Sequence, residues 1–192
     1  MRTATAWVGA AAMLAGAGLL VSQSSTPEHV GPRMEGGFLL NSGWVLKPAG
    51  KQIPLSTFPM ASAVSPDGKH LVILQGGYLQ PSVSLHDPLT LVEKDRLSLP
   101  DAWLGLKFAP SGNVFYVGGG SKSTVFEVAV TDAGKLEKRR EFVIVAADKR
   151  KHSDFIGDVT LSPDGRLIYA AALHRDSIFV INPQTGIVIE EW

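Results

Sequence analysis

Two imidazole–carboxylate pairs, His152 with Asp154 and His174 with Asp176, are the residues in this chain best suited to metal chemistry. Brought to one face, they would form a mixed nitrogen and oxygen site for a divalent cation. The five histidines, His29, His70, His86, His152 and His174, show no i, i+4 pairing and no ligand motif, so ordinary surface imidazoles explain them as readily. Lys149, Arg150 and Lys151 form a basic run that either captures an anion or keeps a loop solvated. Gly118, Gly119 and Gly120 offer consecutive amides to a phosphate, but a cradle of the P-loop kind opens a helix, and a hairpin connection is the competing reading. Nucleophilic catalysis lacks its parts, with no cysteine and no Gly-x-Ser-x-Gly elbow. No catalytic residue, metal ligand or cofactor is assigned.

The elements that position these residues are written in a repeated phrase. Ser65-Pro66-Asp67-Gly68-Lys69, Ala109-Pro110-Ser111-Gly112-Asn113 and Ser162-Pro163-Asp164-Gly165-Arg166 each stand between two short apolar runs. Proline presets φ for the first central residue of a type I turn, Asp or Ser tolerates the second, and glycine takes the left-handed conformation that follows. Asp67 and Asp164 are therefore read as turn residues. The phrases recur at spacings in the forties and low fifties, the length of a four-stranded β-propeller blade. A second set of turns keeps step: His86 to Thr90, Thr131 to Gly134 and Asn182 to Gly186.

The expected fold is all-β, a partial β-propeller of about three four-stranded antiparallel blades plus one orphan N-terminal closing strand. The strands are placed at 60–64, 70–75, 82–86 and 91–98; at 103–108, 113–118, 124–130 and 136–145; and at 156–161, 167–172, 177–181 and 187–192. Gly43 to Leu55 supplies the orphan strand. Residues 1–24 read as a secretory signal peptide, with Arg2 before an uncharged stretch from Ala4 to Val21 and then polar Ser22 to Pro27. An uncleaved anchor is the other reading of that stretch. Residues 25–42 are assigned to a flexible linker, 43–58 to the closing strand and 59–192 to blades one to three. A periplasmic or secreted location follows from the leader, without further membrane insertion. Propellers close with four to eight blades, so three blades suggest the N-terminal part of a longer protein, or a partial ring that self-assembles.

The Ser-Pro-Asp-Gly turns, followed by strands such as Ser177-Ile178-Phe179-Val180-Ile181 and the Asn182-Pro183-Gln184-Thr185-Gly186 turn, resemble the bacterial YVTN-type β-propeller repeats, which also underlie lactonase-like propellers. Gly43-Trp44-Val45-Leu46-Lys47-Pro48-Ala49-Gly50, followed by Pro59-Met60 and the first turn, resembles exported proteins that join such a propeller to a C-terminal alkaline-phosphatase-superfamily phosphoesterase. That family's metal and nucleophile residues belong to the downstream domain and have no counterpart here. Tyr169-Ala170-Ala171-Ala172 replaces the usual Tyr-Val-Ala-Asn.

In such a blade the loops opposite the Pro-Asp-Gly turns gather on one face. They hold Tyr78, Trp103, Lys122, His152, Asp154, His174 and Arg175, the candidate ligand-binding set. Eighteen basic residues balance 18 acidic ones, which removes a global charge for nucleic acid. The partner, a ligand or a protein, is not identified by these residues. The inner strands carry only Lys107 and Asp158 as ionisable groups, so a binding scaffold is favoured over a lactonase-type hydrolase acting in the axial channel.

Overall fold

The computed structural model describes residues 29–34 and 36–192. The expected signal peptide at 1–24 and the start of the expected linker lie outside them. The chain divides into two compact units, Met1–Gln52 and Ile53–Trp192. In the first, β1 (Gly31–Pro32), β2 (Phe38–Leu39) and β3 (Val45–Leu46) form a three-stranded antiparallel meander. Part of the stretch expected as linker is thus paired structure, and the strand at Val45–Leu46 pairs with β2, which pairs in turn with β1. Two-residue strands are too short to show alternation in sequence.

The second unit holds three four-stranded sheets, each an antiparallel meander. Blade one comprises β4 (Pro59–Val64), β5 (Leu71–Gln75), β6 (Ser82–His86) and β7 (Glu93–Ser98). Blade two comprises β8 (Leu106–Phe108), β9 (Val114–Gly118), β10 (Thr124–Val130) and β11 (Leu136–Val143). Blade three comprises β12 (Ile156–Leu161), β13 (Ile168–Ala172), β14 (Ser177–Ile181) and β15 (Val188–Glu191). The only helical element among the described residues is a 3-10 turn at His152–Asp154. The fold is all-β.

The repeated phrase makes the turn its composition dictates. Ser65 Oγ donates to Asp67 Oδ1 at 2.6 Å, and the same oxygen accepts from Lys69 N at 3.1 Å. Ser162, Asp164 and Arg166 repeat this at 2.6 and 3.0 Å. The Ser65 hydroxyl and the Lys69 amide hold the Asp67 carboxyl down at about 2. These acids are consumed by their own turns.

Two apolar clusters lie between successive blades. Val72, Leu74, Leu85, Phe115 and Phe126 fill the seam between blades one and two. Tyr116, Val125, Phe142, Ile156 and Phe179 fill that between two and three. Turns are also gripped across each seam. Asp95 on β7 accepts from Leu136 N at 2.7 Å and from Lys135 Nζ at 3.1 Å, at the turn that begins β11. Arg140 on β11 donates to the carbonyls of Gln184 at 2.8 Å and Pro183 at 2.6 Å, in the turn before β15. The same guanidinium makes a two-pronged pair with buried Glu127. Burial and the nearby Glu127 carboxylate push the Tyr116 phenol up to about 12.

Candidate functional site

The loops opposite the Pro-Asp-Gly turns carry exposed aromatic side chains. Residues 56–58 run into β4 and are tied to the loop after β5. Ser56 N donates to Gln75 Oε1 at 2.6 Å, Thr57 Oγ1 to the Gly76 carbonyl at 2.6 Å, and Gly76 N to the Phe58 carbonyl at 3.0 Å. Phe58 sits at φ 49°, a left-handed conformation that costs a bulky residue on the order of 1–3 kcal/mol. Gly77, at φ 91°, lies so close that a Cβ there would be 2.9 Å from the Phe58 Cβ. This arrangement presents the Phe58 ring outward, 62% exposed, next to a fully exposed Tyr78.

Trp103 completes the group from the connection between blades one and two. Its amide donates to the Gly118 carbonyl at 3.1 Å, and the Gly105 amide donates to the Gly157 carbonyl of blade three at 3.2 Å. Residues 103–105 therefore bridge two blades and leave the strand, so β8 begins at Leu106 rather than at 103. Thr57, Phe58, Gly77, Tyr78 and Trp103 line a hollow of about 540 Å³. Its walls are three aromatic faces, with no ionisable side chain among them except the Tyr78 phenol. The Tyr78 hydroxyl and the Trp103 indole N–H make no hydrogen bond with the described residues. The hollow can stack a flat, uncharged ligand and offer it two polar contacts.

A second group continues from Trp103. Its ring meets Phe155 edge-on with centroids 5.7 Å apart, Phe155 lies 6.0 Å from His174, and His174 stacks on His152 at 5.1 Å with 14° between the planes. A ring nitrogen offers its lone pair within the ring plane, so two imidazoles stacked face to face do not converge on one ion. Asp154 is buried and already engaged. It accepts from Lys151 N at 2.8 Å and from Arg175 Nη1 at 2.9 Å, which hold its carboxyl below the usual range. Arg175 also makes a two-pronged pair with Glu191 at 2.7 and 3.0 Å and lies over the Phe179 ring. Asp154 and Arg175 thus brace blade three's loop and are not poised for a ligand. Among the described residues no group of three or more His, Asp or Glu side chains could hold a metal ion.

The glycine-rich loop is likewise occupied. Gly118 N donates to the Gly105 carbonyl at 3.0 Å, Gly119 N to Thr124 at 2.8 Å and Gly120 N to Ile156 at 3.1 Å. All three amides that would cradle a phosphate are taken within the protein, so the hairpin reading holds. Asp101 pins the loop by accepting from Ser121 N at 2.7 Å and Ser121 Oγ at 2.5 Å. Lys122 is exposed, with no ion-pair partner among the described residues, as are Lys149 and Lys151.

Of the seven residues singled out from sequence, Tyr78 and Trp103 share the hollow, while His152, Asp154, His174 and Arg175 form the neighbouring stacked and ion-paired group. Lys122 joins neither. Thr57 and Phe58 were missed, because a phenylalanine with positive φ carries no turn signal.

No protein-family model matches the sequence, and no curated protein sequence matches it. Solved structures do. A functionally unknown protein from Desulfotomaculum acetoxidans aligns at 20% identity and TM-score 0.60, covering 73% of this chain and 43% of that one. The periplasmic gluconolactonase of Pseudomonas aeruginosa aligns at 19% identity and TM-score 0.57, covering 83% and 51%. The WD40 repeats of RRP9 align at 11% identity and TM-score 0.57, covering 72% and 39%. At such identities the likeness shows the fold alone, that of a β-propeller. The chain spans about half or less of the length of these structures.

Proposed function

We propose that this chain is part of an exported β-propeller that serves as a binding scaffold, with the hollow at Phe58, Tyr78 and Trp103 as its ligand seat. The carrying observation is the hollow itself: three aromatic faces, one of them held outward by a strained backbone, around a space free of charged side chains. Exposed aromatic surface is unfavourable in water and is offset when a ligand covers it. A neutral ligand with a flat face fits this chemistry better than an anion or a metal. Export rests on the leader-like residues 1–24. Attachment to a phosphoesterase domain rests on the resemblance of the 43–68 segment. Hydrolase chemistry of the lactonase kind would need acid, base or metal groups supplied from outside these three blades, and the ligand seat supplies none.

Native mass spectrometry of the protein isolated from its own source tests the seat. A bound small mass is expected in the wild type. It should be lost from Tyr78→Ala, with the melting temperature unchanged within about 2 °C because that side chain is exposed, and from Trp103→Ala, which should also melt a few degrees lower because its ring packs on Phe155. Retention of that mass in both variants, or no bound mass at all, overturns the ligand seat. Hydrolysis of p-nitrophenyl phosphate by the same preparation is expected if a phosphoesterase domain is attached.

A further inference from the structure

The three blades carry one row of residues in register. Blade one has Ala63, Val72, Leu85 and Asp95; blade two has Lys107, Tyr116, Glu127 and Arg140; blade three has Thr160, Tyr169, Val180 and Glu190. In every blade the fourth member pairs just before a β-bulge, between Leu85 and His86, Glu127 and Val128, and Val180 and Ile181. Asp95 and Arg140 occupy this place, and each grips the turn between third and fourth strands of the following blade. Glu190 is the third member of the series.

A second series runs along the Pro-Asp-Gly turns. Pro66 Cδ lies 3.8 Å from where a Cβ on Gly112 would stand, and Pro110 Cδ lies 2.9 Å from the same point on Gly165. Each turn's proline thus packs on the next turn's glycine. All three prolines keep exposed surface, but Pro163, the third, meets no such glycine among the described residues. The face that carries Glu190 is also largely uncovered: Val180 is buried, but Asp158, Thr160 and Ile178 are exposed and Tyr169 and Ala171 half-buried around a hollow of about 110 Å³. The equivalent faces of blades one and two are buried under their neighbours.

We infer that the outer face of blade three docks a fourth four-stranded β-blade, whose outer strand begins with a backbone N–H bound to Glu190 and a lysine paired with it. A carboxylate only accepts hydrogen bonds, so Glu190 takes its partner as Asp95 does, from an amide and an ammonium; Arg140, which only donates, takes carbonyls. Trp192 Nε1 donates to Glu190 Oε2 at 2.6 Å and packs on Tyr169 at 5.7 Å, so the indole covers part of the position and leaves Oε1 without a partner among the described residues. The inference rests on the part of the proposal that makes this chain a portion of a larger propeller, and not on the ligand seat.

Zero-length carbodiimide coupling of the protein isolated from its own source tests it, since this reagent joins a carboxylate to a lysine it already touches. Asp95 and Lys135, 3.1 Å apart, are the internal control. Glu190 is expected to couple to a lysine at the start of a further outer strand, and Glu190→Gln to melt lower by about 3–8 °C, the drop also expected of Asp95→Asn. Coupling of Glu190 to a second copy of this chain overturns the inference, as does no coupling beside a positive control. So does a Glu190→Gln variant that melts like the wild type. Loss of ligand at Tyr78 and Trp103 with Glu190 coupling intact would fail the seat and leave the blade.

Discussion

Blade two is covered on both faces and blade three on one. The second strand of blade two, β9, is buried from Phe115 to Gly118, whereas its counterpart β13 alternates between buried and half-buried. Successive side chains of a strand point to opposite sides, so alternation appears only where one side lacks a neighbour. Glu127 shows what the second cover demands. A carboxylate inside the blade two seam is tolerated because Arg140 reaches it from the next strand while also holding blade three's turn. The corresponding Val180 of blade three needs no such partner. A covered face ties its polar groups into the neighbouring blade, whereas on the open face Asp158 and Glu190 find partners, among the described residues, only within their own blade.

The largest expected effect tests this contrast directly. Phe126→Ala, in the seam of blades one and two, should lower stability by about 3–5 kcal/mol in urea melting. Ile178→Ala, on the open face, should cost less than about 1 kcal/mol. Equal losses would mean that the face of blade three is covered. Arg140→Met comes next. It leaves the Glu127 carboxylate buried without its cation and removes both carbonyl contacts, for an expected loss of about 3 kcal/mol by the same measurement. Adding Glu127→Gln should recover part of it, since the stranded charge is then gone.

The smallest effect is acid sensitivity. Amides at Leu136 and Lys151, together with Lys135 and Arg175, depress the carboxyls of Asp95 and Asp154 in the folded chain. A depressed folded value gives stability that is fully present above the unfolded carboxyl range near 3.9. It is lost as pH falls through the folded value. Melting temperature should therefore drop steadily below about pH 4, and the drop should be shallower in Asp154→Asn. Identical acid profiles for this variant and the wild type would separate the blade three loop from acid unfolding.

The strands of all three blades were legible because Pro and Gly punctuate them at fixed offsets and the runs between are Val, Ile, Leu and Phe. What sequence could not show depends on contacts between blades. The first strand of blade two starts three residues late because Gly105 hydrogen-bonds to Gly157, a partner far along the chain. Asp154 and Arg175 stand among plausible ligand residues by type, and only their mutual distance shows that they bind each other. Phe58 entered the hollow through a backbone conformation that its side chain does not advertise. The meander at Gly31–Leu46 is built from strands shorter than the period that would reveal them.

The turns gripped by Asp95 and Arg140 are held largely by their main chain, through the Leu136 amide beside the Lys135 ammonium in one case and two carbonyls in the other. Thr131-Asp132-Ala133-Gly134 and Asn182-Pro183-Gln184-Thr185-Gly186 accordingly share a role and almost no composition. A joint that reads peptide groups imposes little on the letters beneath them. Repeats built this way can be copied, lengthened and allowed to diverge while the copies go on fitting together, so such a chain can keep its architecture long after its lineage has faded from the sequence.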